Sequence, residues 1–124
     1  MTYLAISVGA VLGANARYLL ATAVAQRFGS SFPLGTLVIN LTGSFVIGVV
    51  MTLVNEQAGA PDWLRPGIAV GFLGAYTTFS TFSYETLALA QRGATDLALL
   101  NIAASVGASL VGVYLGVSLT RAIF

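Results

Sequence analysis

Charged residues are so rare along this chain that they divide it. Arg17, Arg27, Glu56, Asp62, Arg65, Glu85, Arg92, Asp96 and Arg121 leave charge-free runs at Phe28–Asn55, Pro66–Tyr84 and Leu97–Thr120, of 28, 19 and 24 residues. Ahead of these, Met1–Gln26 carries only Arg17. A helix needs about 20 apolar residues to cross a bilayer, and lipid cannot satisfy free backbone groups. The pattern therefore predicts four transmembrane helices, at 2–25, 33–54, 66–90 and 97–121. The third continues past its charge-free part because "YETLALAQRG" is a good helix ending at Gly93. The loops "RFGSSFP", "EQAGAPDWLRP" and "RGATD" leave nothing for a soluble domain, a linker or a nucleotide site, so residues 1–124 read as one membrane domain. The start, "MTYLAISVGA", lacks the basic region of a signal peptide and reads as the beginning of the first span.

One stretch breaks the apolar pattern from inside. Thr77–Ser83, "TTFSTFS", places five hydroxyls and two phenylalanines in the third span. Gly71 and Gly74 precede the β-branched pair Thr77–Thr78, a poor helix interior by propensity. The third helix is expected to break near Gly74–Thr77. Irregular backbone at membrane depth survives only against protein or a cavity, and carbonyls freed by unwinding coordinate cations in transporters. Beyond the break, Phe79 and Phe82 share a helix face. A phenyl ring has a positive edge that can meet an anion, and the hydroxyls of Ser80, Thr81 and Ser83 can donate to it.

Composition narrows the class. Charged residues make up 7% of the chain and hydrophobic ones 57%, against about 25% charged in soluble domains. With no His and no Cys, a zinc site, a histidine acid–base pair and a disulfide framework are excluded. The net charge of +1 gives no sign of a nucleic-acid partner. No Asp or Glu lies mid-span, Glu85 being nearest, so the intramembrane acid that proton coupling normally uses is missing. The chain is built for passive permeation rather than for catalysis or pumping.

Four features leave alternatives open. Arg65 and Arg121 lie on one side of the membrane and Arg27 and Arg92 on the other. Cytoplasmic loops should carry an excess of Arg and Lys, so this even count fits insertion in both orientations, or one orientation set by other machinery. Gly9/Gly13 and Gly112/Gly116 are small-xxx-small pairs that let backbones approach, either within one chain or between copies. An oligomer would supply the pore walls that one small bundle lacks. Asn40 is interhelical glue or a donor lining a pathway. Asn101, Ser105, Ser109, Gly112 and Gly116 share one face of the fourth span, as a packing seam or a polar track.

The sequence resembles the Fluc (CrcB) fluoride channel family. The likeness rests on "GAVLGANARY" (Gly9–Tyr18), "GTLVINLTGSFVIG" (Gly35–Gly48) and "GFLGAYTTFSTFSYE" (Gly71–Glu85), with Ala10 and Ala75 where members often have glycine. The resemblance implies a dual-topology antiparallel homodimer, with lipid around it and two fluoride pathways, in the inner or plasma membrane of a prokaryote. It implies that Asn40, Phe79 and Phe82 line them with Ser80 and Thr81 nearby, and that Ser105 and Ser109 form the polar track. Some members have a tyrosine at the position of Asn101. It implies a structural Na+ held by the carbonyls of Gly74 and Thr77 from both subunits, and an orienting or vestibule role for Arg17. The implied function is passive, fluoride-selective export down the electrochemical gradient, which detoxifies the cytoplasm. The rival reading is a small dual-topology multidrug exporter. Such proteins use a glutamate in the first helix, where this chain has only Arg17.

Overall fold

A computed structural model describes all residues, 1–124. It is helical throughout: α1 (Thr2–Phe28), α2 (Leu34–Glu56), α3 (65–76), α4 (Phe79–Gln91) and α5 (Thr95–Ile123). Helices α1, α2 and α5 are each long and apolar enough to cross a membrane. Between α2 and α5 the chain runs through α3 and α4, with Thr77 and Thr78 extended between them. The expected break is present, and it falls on the β-branched pair itself. Helices occupy all four expected positions, with ends shifted by up to three residues, and with the third divided into two half-helices.

The ends of the elements follow local chemistry. Pro66 stands in the first turn of α3, where its missing N–H leaves nothing unpaired. Gly93 has φ of 85°, a left-handed conformation that glycine adopts without a steric cost. It stops α4 while the Ala94 N–H reaches back to the Leu89 carbonyl, the six-to-one closure of a helix C-terminus. Two polar contacts mark the two ends of the bundle. Arg121 donates to both carboxylate oxygens of Glu56, its Nε lying 3.0 Å from each, where α2 and α5 end together. At the opposite end the Arg92 guanidinium donates to the Ser31 carbonyl. The alternating helices place these pairs at opposite ends of the bundle.

Packing is backbone on backbone. A Cβ at Gly9 would overlap the Gly67 carbonyl oxygen, and one at Gly13 the Phe72 carbonyl oxygen. A Cβ at Gly71 would lie 2.5 Å from the Ile6 carbonyl oxygen. These glycines seat α1 on α3. Gly48 approaches Val113, and Gly112 and Gly116 approach Leu41 and Phe45, locking α2 to α5. Both small-residue pairs are thus occupied by contacts within the chain, so the intrachain alternative holds for them. The first nine residues of α3, Arg65–Leu73, are wound as a π-helix, a wide form rarely sustained beyond a single turn. The regular helix expected there is replaced where three glycine contacts press α1 against its backbone.

Outside this packing the surface is apolar. Tyr3, Leu4, Val8, Val11 and Leu12 on α1 and Leu110, Val111, Tyr114 and Leu115 on α5 are exposed. A soluble protein rarely tolerates such continuous patches, whereas a multi-pass membrane protein presents them to lipid.

Candidate functional site

The break in the third crossing is built by α2. Thr77 (φ −81°, ψ 157°) and Thr78 (φ −151°, ψ 121°) have extended backbone, so the helical ladder lapses there. The Thr78 N–H, which would close the α-helical bond to the Gly74 carbonyl, instead donates to Asn40 Oδ1 at 2.8 Å. Asn40 Nδ2 donates in return to the Thr78 carbonyl at 2.9 Å. One side-chain amide thus pairs with both polar groups of one backbone residue. The glue reading of Asn40 is correct as far as this pairing goes, but an amide has two N–H donors and only one is engaged here.

The same rearrangement frees two carbonyls. Gly74 loses its partner to Asn40. The Thr77 carbonyl loses its own because the Thr81 N–H caps onto Thr78 Oγ1 at 3.1 Å. Both are neutral oxygen donors on the α3 side of the break, the chemistry that suits an alkali cation in an all-oxygen cage. Gly43 makes the geometry possible, since a Cβ there would overlap Thr77 Cγ2. Its absence lets the unwound segment lie directly on α2.

A cavity of about 420 Å³ opens beside the break. Asn40, Thr77, Phe79, Phe82, Ser105 and Ser109 all contribute to its lining. Five of the seven residues singled out as a pathway are therefore gathered around one space. The rings of Phe79 and Phe82 lie 5.5 Å apart, inclined at 49°. Phe82 is buried, but Phe79 is 78% exposed, so the cavity lacks a wall on that side in a single chain. Ser80 and Thr81 do not line it. They stand in the first turn of α4, with their hydroxyls near Thr78 Oγ1, at 3.3 Å and 3.0 Å. Ser83 donates to the Phe79 carbonyl at 2.9 Å.

On α5 the shared face is both seam and polar track. Gly112 and Gly116 pack on α2, while Ser105 donates to Asn101 Oδ1 at 3.2 Å and Asn101 Nδ2 donates to Thr86 Oγ1 at 2.9 Å. The Thr86 hydroxyl in turn donates to the Phe82 carbonyl at 2.7 Å. Asn101 is only 1% exposed, and its amide joins the track to the helix that carries Phe82. Sequence reasoning missed Thr86, whose spacing of four from Phe82 was the available signal.

A second cavity, of about 320 Å³, lies toward the end marked by Arg92. Thr36, one turn before Asn40 on α2, donates to Glu85 Oε1 at 2.6 Å inside it. Ala21 also lines this space, one turn beyond Arg17 on α1. Arg17 itself is half-buried and forms no ion pair. Thr36 and Asn40 share a face of α2, as Phe82 and Glu85 nearly do on α4, so the two cavities follow the same pair of helices.

The chain matches the family described as CrcB-like protein, Camphor Resistance (CrcB), over residues 4–117. A protein of Solibacter usitatus (strain Ellin6076), named "Fluoride-specific ion channel FluC", is 44% identical over 121 residues, 98% of this chain and 99% of its own length. Its namesake from Magnetococcus marinus (strain ATCC BAA-1437 / JCM 17883 / MC-1) is 47% identical over 118 residues, covering 95% of this chain and 96% of the relative. Another of the same name, from Roseiflexus sp. (strain RS-1), is 45% identical over 121 residues, with 98% of both chains covered.

Proposed function

The chain belongs to the CrcB-like family, and from that membership we infer that it is a fluoride channel of a cell membrane, not an enzyme. The multidrug-exporter alternative is set aside: the relatives are named for fluoride, and α1 carries no acid. The observation that carries the reading is the neutral, donor-bearing cavity at the helix break, lined by Asn40, Phe79, Phe82, Ser105 and Ser109.

The chemistry follows from what fluoride needs. The ion is small, strongly hydrated and a strong acceptor, so a narrow passage must replace its water with donors. The second Nδ2 hydrogen of Asn40 and the hydroxyl of Ser109 serve that purpose, and Ser105 joins them when its hydrogen turns from Asn101 to the ion. The edges of Phe79 and Phe82 complete the shell without a fixed charge. A conducting site must be weak enough to release its ion, and a cation in the cavity would hold fluoride too tightly. Ser80 and Thr81 act at the α4 end of the break, keeping Thr78 oriented. The cavity of Thr36 and Glu85 lies along the same two helices, with the Thr36 hydroxyl turned to the Glu85 carboxylate, and Arg17, one turn from the lining residue Ala21, orients that end. Flow is passive, so an inside-negative potential drives fluoride out of the cell, which disposes of fluoride that entered as neutral hydrogen fluoride.

The working unit in this reading is an antiparallel homodimer of oppositely inserted copies in the inner membrane of a prokaryote, with one pathway along each side. The exposure of Phe79 supports it, because a second copy supplies the missing wall. So does the even division of arginines. A structural Na+ would be held by the Gly74 and Thr77 carbonyls of both copies. It would supply positive charge to oxygens that have lost their helical partners, and it would hold the two breaks together without being transported.

The deciding experiment is electrode-detected efflux from potassium-fluoride-loaded liposomes containing the purified protein, started with valinomycin. Rapid fluoride release with little chloride release is expected. Chloride release as fast as fluoride release overturns the reading.

A further inference from the structure

On the α3 side of the break a second polar link joins the crossing to α2. The Tyr76 hydroxyl lies 2.8 Å from Thr42 Oγ1. Donor and acceptor follow from counting hydrogens. A threonine hydroxyl has one, and Thr42 directs its own to the Val38 carbonyl at 2.8 Å, with the Ile39 carbonyl at 3.1 Å sharing it. The Tyr76 hydroxyl is therefore the donor. Its ring is held by stacking on Phe72, with centroids 5.7 Å apart and planes inclined at 17°. A Cβ at Gly43 would lie 3.3 Å from that ring and would overlap Thr77.

We infer that Tyr76 is a positioning residue of the ion pathway, acting through Thr42 to hold the end of α3 in register with α2. Three neighbouring positions on α2, Asn40, Thr42 and Gly43, thus grip the consecutive residues Tyr76, Thr77 and Thr78. The helix ladder does not run through Thr77–Thr78, so the register of this segment depends on those contacts. Asn40 pairs with the segment at one residue only, Thr78. With Tyr76 pinned two residues earlier, the segment has two fixed points, and the unengaged amide hydrogen of Asn40 keeps one direction. The inference rests on the fluoride-channel reading. That reading fails if the unaltered protein conducts no fluoride, whereas this inference is judged only on variants compared with a conducting protein.

The test uses the full chain in liposomes. Tyr76→Phe keeps the stacked ring and removes only the donor. Thr42→Val removes the acceptor at nearly constant shape, and Thr42→Ser restores it. Expected are a threefold to tenfold fall in fluoride efflux per folded protein for Tyr76→Phe and for Thr42→Val, near-normal efflux for Thr42→Ser, and a double variant no slower than the slower single one. Melting midpoints in detergent should stay within a few degrees of the parent, separating positioning from folding. Should Tyr76→Phe fold poorly, the comparison of Thr42→Val with Thr42→Ser decides the matter. Unchanged efflux in Thr42→Val, additive losses in the double variant, or a Thr42→Ser variant as slow as Thr42→Val overturns the inference.

Discussion

Replacing Asn40 by Asp changes one atom and tests the site at its centre. The Thr78 N–H still has an acceptor, because the carboxylate keeps an oxygen where Oδ1 stands, 2.8 Å away. The other half of the pair inverts. Where Nδ2 donated to the Thr78 carbonyl at 2.9 Å, a carboxylate oxygen now faces a carbonyl oxygen, and one hydrogen bond worth about 1 kcal/mol becomes a repulsion. A charge has also been placed mid-helix in a membrane, at about 2.5–3.5 kcal/mol for Asp on insertion scales. For the ion the effect is larger, since the same carboxylate removes a donor and adds a like charge in a cavity of about 420 Å³. Two unit charges 4 Å apart repel by about 4 kcal/mol at an effective dielectric of 20, and each 1.4 kcal/mol is tenfold in rate. Fluoride efflux from liposomes should therefore fall by at least about a hundredfold, with the protein still eluting at its normal size in detergent. Undiminished fluoride flow in a folded Asn40→Asp variant would refute the assignment of Asn40 to the pathway.

Other consequences are equally direct. Gly43→Ala puts a methyl group into Thr77 and against the Tyr76 ring. Overpacking of this kind costs about 1–3 kcal/mol, so the melting midpoint should fall and efflux with it, and a variant as stable and as active as the parent would contradict the close approach described here. If a cation neutralises the Gly74 and Thr77 carbonyls, exchanging all sodium for N-methylglucamine should lower both the melting midpoint and fluoride efflux, with recovery on returning sodium; insensitivity to sodium after exhaustive dialysis would dismiss the site. Reporter fusions at the C-terminus should be active on both sides of the membrane in cells, and a single orientation would rule out dual topology.

What the sequence made legible, and what it hid, divides along range. The four crossings could be read because nine charges in 124 residues leave little choice about where lipid can lie. The break could be read because glycines before a β-branched pair oppose a helix locally, whatever packs around them. The identity of partners could not. A small-xxx-small pair announces close approach and not the neighbour, and Gly9 and Gly112 find theirs inside the chain. Asn40 pairs with a residue 38 positions away, in a register set by the close approach of Thr77 to Gly43. The π-helical winding of Arg65–Leu73 has no counterpart in the residue pattern, since it accompanies backbone pressed against it from α1.

That division also explains why the pathway residues looked ambiguous one by one. In lipid a buried polar group must find a partner, and no buried side-chain nitrogen or oxygen here lacks one. The buried hydroxyls and amides therefore have structural roles, and a purely structural reading of any one of them is partly correct. The functional signal lies in the valence left over. Asn40 has a second amide hydrogen, and the carbonyls of Gly74 and Thr77 have surrendered their helical donors. The remaining donor faces a cavity edged by two phenyl rings, which suits an anion. The remaining acceptors sit at the end of a half-helix, where the dipole is negative, which suits a cation. In this reading a single break in one helix sorts donors from acceptors along a few residues, so that neutral groups alone present opposite polarities to two different ions.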